Sequence, residues 1–190
     1  MYTDIEWALS QGLTAVDLVP MLERLLQEAT AEAGRINTTL HLTYAKRQLA
    51  EFLVHSQPFR AARLAQELVQ ENADDDRAHA ALGLACLLMG HFNMAERAYR
   101  HALALTPHCP WYAHNLGHLL DVIMSRPHEA LPLLRLSRTA LPEDREIAIS
   151  YAHALFATHD REEAWRQLLE ATKGNHAEAR TKMQRWTQKS

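Results

Sequence analysis

Glycine and proline are scarce in this chain of 190 residues, six and seven respectively, and β-branched residues are sparse. Strands and hairpin turns draw on those types, so their shortage disfavours a sheet. What remains, rich in Ala, Leu, Gln and His, suits helix. The two cysteines, Cys86 and Cys109, are too few and too far apart for a secreted disulfide scaffold, and neither belongs to a CxxC pair. Cys86 reads as a core residue and Cys109 as a turn residue. No stretch approaches ~18 uninterrupted apolar residues, so no membrane span is expected. The opening "MYTDIEWALSQGL" lacks a basic segment and a long apolar run, and so does not read as a secretory signal. An excess of one charge is also missing. The net charge is −3 with histidines neutral, which gives no general pull toward nucleic acid or anionic membrane. The expectation is a cytoplasmic protein with no nucleic acid among its partners.

Catalytic signatures are missing too. There is no nucleophile elbow, phosphate loop, dinucleotide fingerprint, paired-carboxylate site or HExxH. The acidic run "ENADDDR", Glu71 to Arg77, lacks the alternating ligands, glycine and distal Glu of a calcium loop. It reads as a solvated turn that caps the next helix through Asp74 or Asp75. No cofactor is expected, and the chain reads as a non-enzyme.

What the chain does have is internal repetition. Leu82-Gly83 returns as Leu116-Gly117, 34 residues on. Ala95, Tyr99, Ala102 and Pro107 return as Ala130, Leu134, Ser137 and Pro142, 35 residues on, with the extra residue expected in the turn around Ser125-Arg126-Pro127. A third copy carries Tyr151-Ala152, Leu155, Ala164, Leu168 and Ala171, and a weaker one spans roughly residues 38–72, with Ala61 or Ala62 at the small contact. The pattern resembles the tetratricopeptide repeat, W-x₂-L-G-x₂-Y…A-x₃-F…P at about 34 residues. It departs from that signature at the Trp and the first Tyr. The resemblance implies an all-α, right-handed superhelical array of antiparallel helix pairs, with nine to eleven helices and no sheet. Gly83 and Ala95 should face each other where two helices cross.

Three parts are expected: an N-terminal helical module over residues 1–36, an array of about four repeats over 37–174, and a capping helix over 175–190. In the first, Thr3 and Glu6 form a capping box. A second helix there carries Val16, Val19, Leu22, Leu25 and Leu26 on one stripe and stops at Gly34. That stripe either covers the first repeat or forms a homodimer through the N-terminal module. In the last, Ala179, Met183 and Trp186 point inward. A helical N-terminal arm followed by such repeats is also similar to bacterial type III secretion chaperones, although the fourth repeat and the cap are departures.

"WYAHNLGHLLD", Trp111 to Asp121, carries the candidate site. Ala113, Leu116, Gly117 and Leu120 hold the packing positions of the repeat. Trp111, His114, Asn115, His118 and Asp121 fall on another side at 100° per residue. In tetratricopeptide arrays the first helix of each pair lines a concave groove, so the resemblance implies a protein or peptide partner bound there. It places Arg77 and Leu84 in the lining from the preceding repeat and Glu146, Ser150, His153 and Phe156 from the following one. Lys46 and Arg47 are candidates from the first. A clamp for a terminal carboxylate is not expected, because Ala80, Leu84 and Ser150 stand where basic or amide groups belong. The alternative is a metal-binding or His-dependent enzyme using His114, His118 and His153, since a pair four apart on a helix can chelate.

Overall fold

The computed structural model describes residues 12–32 and 38–188. Among them are ten α-helices and no strand. Contacts divide the chain into two compact units, residues 1–105 and 106–190. The expected capping box at Thr3 and Glu6 and the stop at Gly34 lie outside the described residues.

The first unit contains α1 (Ala15–Ala31), α2 (Thr38–Leu53), α3 (Pro58–Glu71), α4 (Asp76–Leu88) and α5 (Phe92–Leu105). Each helix packs on the next. Helix α1 begins where the Asp17 carboxylate accepts hydrogen bonds from the Thr14 amide at 3.1 Å and the Thr14 hydroxyl at 2.7 Å, satisfying a donor that the helix cannot. Its buried stripe is Leu18, Leu22, Leu25 and Ala29. This corrects the expected stripe. Val16 points to solvent at 82% exposure, while Val19 and Leu26 flank the core. The stripe shares one apolar core with Ala45, Leu49 and Leu53 of α2 and Ala61, Leu64 and Ala65 of α3. Ala61, with no exposed surface, takes the small contact, and Ala62 sits at the margin. Asp75 caps α4 by accepting from the Ala78 amide at 3.0 Å.

The second unit contains α6 (Pro110–His118), a π-helical turn over Leu119–Ile123 that continues it, α7 (Pro127–Ala140), α8 (Arg145–Ala157), α9 (Arg161–Ala171) and α10 (His176–Thr187). Proline opens α3, α6 and α7, where its missing N–H removes no helical bond. Asp144, Asp160 and Asn175 cap α8, α9 and α10 by accepting from amides three residues on. Helix α10 packs against α8 and α9. Ala179 is buried with Ala152 and Leu168, and Met183 and Trp186 pack over them.

Two sequence expectations change in detail. The residue nearest Gly83 is Tyr99: a Cβ on the glycine would lie 2.8 Å from the ring. Gly117 meets Leu134 in the same way, at 2.7 Å. The small residues therefore make room for the large side chain one turn beyond Ala95 and Ala130. The extra residue of the second copy is also not in the turn. Cys86 matches Leu120 at a spacing of 34 and Gly90 matches Ser125 at 35. The insertion thus falls between Leu120 and Ser125, where the helix widens into the π turn.

Candidate functional site

The α6 residues singled out by sequence converge on α8. The His114 Nε2 lies 3.1 Å from the Ser150 hydroxyl and the His118 Nδ1 lies 3.5 Å from the same oxygen. Three residues past His118, the His153 Nδ1–H donates to the Asp121 Oδ2 at 2.6 Å. The His118–Ser150 and Asp121–His153 contacts share a spacing of 32 residues, because α6 and α8 are the first helices of successive repeats. The His153 ring meets the edge of Trp186 from α10 with centroids 5.1 Å apart. Phe156 lies 5.7 Å from the same indole, and the Arg161 guanidinium lies over the Phe156 ring at 5.2 Å. The result is a polar and aromatic seam across α6, α8 and α10.

Burial decides what this seam can do. Asp121 is 5% exposed, and its Oδ1 is buried without a partner. Straight α-helical geometry places Asp121 on the open face, but the π turn carries it inside along with Leu119 and Leu120. Burial pushes the His114 pKa below its ordinary value, and the neighbouring His118 adds to this against the pull of Asp144 and Glu146. Burial also lowers His118, against Asp121 and Glu146 and with His153. Two such imidazoles favour the neutral form. The Ser150 hydroxyl has one proton, so it donates to one ring and accepts an N–H from the other.

Trp111 and Asn115 are different. They sit one turn apart on α6. Trp111 is 52% exposed, and the Asn115 amide has no side-chain partner among the described residues. Of the eight residues expected in the groove, these two stay available, and His114, His118, Asp121 and His153 bond within the seam. Arg77 and Leu84 belong to the first unit. Arg77 forks onto Glu51 at 2.7 and 2.8 Å, and Leu84 packs against the α1–α3 core. Lys46 and Arg47 are likewise engaged, Lys46 with Glu71 and Glu67 and Arg47 with Asp75. Trp186 is the residue whose part in the seam sequence reasoning missed. Its inward position was legible, but its contact with His153 needed the placement of α10. Among the described residues no group of three or more His, Cys, Asp or Glu is placed to hold a metal ion, and the His114 and His118 rings are tilted by 41° with centroids 6.1 Å apart.

Solved structures share this arrangement of helix pairs. A crystal structure of MamA superposes with a TM-score of 0.69 over 93% of this chain and 96% of that one, at 16% identity. YrrB, described as a TPR protein with an unusual peptide-binding site, gives 0.67 over 83% of this chain and 77% of its own, at 19% identity. The fold is a tetratricopeptide-repeat solenoid. The O-GlcNAc transferase of Thermobaculum terrenum also matches, at 0.63 and 22% identity, over 69% of this chain and 26% of the enzyme. At these identities the likeness is one of fold. No protein-family model matches the sequence, and no curated protein does. No described helix is long and apolar enough to cross a membrane.

Proposed function

We propose that this chain is a non-enzymatic tetratricopeptide-repeat adaptor or chaperone that holds an extended segment of a protein partner against the α6 face of its second unit. The observation that carries the reading is the pairing of a half-exposed tryptophan, Trp111, with the free amide of Asn115 on one side of a helix. The other sides of that helix are committed to packing and to the seam. An indole supplies contact area at small entropic cost, and an amide both donates to and accepts from a peptide backbone. The seam of His114, His118, Asp121, Ser150 and His153 is the rigid floor that holds the helix in place. A bacterial secretion-system chaperone or assembly subunit is a narrower form of the same reading.

The test is to recover a partner by affinity capture and mass spectrometry, and then measure its Kd for wild type and Trp111→Ala by calorimetry. Loss of a groove anchor of this kind costs about 2 kcal/mol or more, roughly a thirtyfold loss of affinity. Helical content and melting should hardly change, since the ring is half in solvent. A partner bound equally tightly by both proteins would move recognition to another surface.

A further inference from the structure

Several carboxylates elsewhere in the second unit pair with cations of the same unit: Glu129 with Arg126, Glu170 with Arg138, Glu178 with Arg145 and Glu163 with Arg166. Glu146 precedes Ser150 by one turn on α8, as Trp111 precedes Asn115 by one turn on α6, and the contact of the Ser150 hydroxyl with the His114 Nε2 at 3.1 Å sets these two turns side by side. Glu146 is exposed on α8 and makes no ion pair among the described residues. Asp144 engages the α8 N-terminus by accepting from the Ile147 amide at 3.0 Å. Asp121 is held by His153 through one oxygen and keeps the other buried and unpartnered. The neutral His114 and His118 imidazoles do not offset the Glu146 charge.

We infer that the segment taken up at this face is cationic, with a lysine or arginine side chain laid on the Trp111 ring and Glu146 as its counter-charge. The inference rests on the groove reading of Trp111 and adds the chemistry of the partner. An exposed indole is a good receptor for such a cation, because the ring face is negative. A carboxylate in the partner would instead meet the like charge of the exposed Glu146 beside two uncharged imidazoles. Arginine fits both demands, since its planar fork stacks on the ring and donates to a carboxylate at once. Direct attraction to an exposed carboxylate is screened by salt, so binding should weaken as ionic strength rises.

A random peptide library displayed on phage, selected in parallel on the full chain and on its Trp111→Ala and Glu146→Lys variants, tests this. Glu146 is exposed, so Glu146→Lys should fold as wild type, which circular dichroism verifies. Wild type should enrich peptides with lysine or arginine beside an apolar residue, and Trp111→Ala should not. Synthetic copies of those peptides should bind Glu146→Lys at least tenfold more weakly and should weaken with added salt. Trp111-dependent peptides that are acidic or neutral, or basic peptides indifferent to Glu146→Lys, overturn the cationic assignment and leave the groove reading standing. Peptides enriched equally on Trp111→Ala, or no enrichment, overturn the groove reading and this inference with it.

Discussion

The Arg126 amide bonds to the carbonyl of Leu120, six residues back, where the matching bond in the preceding repeat runs from His91 to Cys86, five back. The extra residue is held inside the helix as a π turn, so the connection that follows keeps its form. Ser125 adopts the left-handed conformation at φ 53°, as Gly90 does at 79°. The π turn also lets three consecutive residues, Leu119, Leu120 and Asp121, face inward.

Deleting Val122 should therefore be tolerated. Val122 is exposed, and its loss restores the five-residue bond without touching Leu119 or Leu120. Helical content should be retained and melting should stay cooperative. Deleting buried Leu120 instead rotates every later side chain of the helix and should unfold the unit. Circular dichroism melts compare the two. If the Val122 deletion behaves like the Leu120 deletion, the π turn is a packing requirement and not an accommodated insertion.

Gly83 and Gly117 should resist even alanine. A Cβ at Gly83 would meet the Tyr99 ring at 2.8 Å, and one at Gly117 would meet the Leu134 Cγ at 2.7 Å. Both neighbours are fully buried. Overpacking of this kind costs about 1–3 kcal/mol. Gly83→Ala should fall at the upper end, because a ring enclosed on all sides cannot swing clear, whereas a leucine has another rotamer. Gly117→Leu should exceed Gly117→Ala. Urea unfolding gives the order directly. An unchanged midpoint for Gly83→Ala would mean that α4 and α5 are not packed this closely.

Most of the fold was legible because it depends on periodicity. A spacing of 34 residues, small residues at helix crossings, prolines at helix starts and acidic caps each act locally, and each appears in the sequence. The details that depend on how the helices meet were not legible. Val16 and Leu18 are both apolar and two residues apart, so only the docking of α1 on α2 decides which one is buried. His114 and His118 share one side of α6, as their spacing of four requires. The use of Ser150 and His153 as partners depends on how α8 docks beside α6. Asp121 was misplaced because 100° per residue does not hold through a π turn. Trp111 and Asn115 needed only α-helical geometry, and they stand where that geometry puts them.

The last prediction is a loss of stability in acid that traces to two histidines. Burial holds the folded-state pKa of His114 and His118 below the ordinary 6.5, with His118 adding to the shift of His114 and His153 to that of His118, although Asp121, Asp144 and Glu146 oppose it. From α8 the pair faces Asp144, Glu146, Ser150 and His153, and from its own helix Asp121. A base with a lowered folded pKa is protonated more in the unfolded chain, so stability rises with pH through that range. The contribution is complete above about 6.5. It is lost as pH falls toward the folded values, where further protonation no longer separates the two states. Charging both rings also leaves the Ser150 hydroxyl with two donors and no acceptor for its own proton. Melting temperature should therefore fall between pH 7.5 and 5.5, and the fall should be smaller in a His114→Gln/His118→Gln double variant. The other ten histidines are common to both proteins, so the difference between the two slopes is the decisive quantity. Equal slopes would place the acid sensitivity outside the α6–α8 seam.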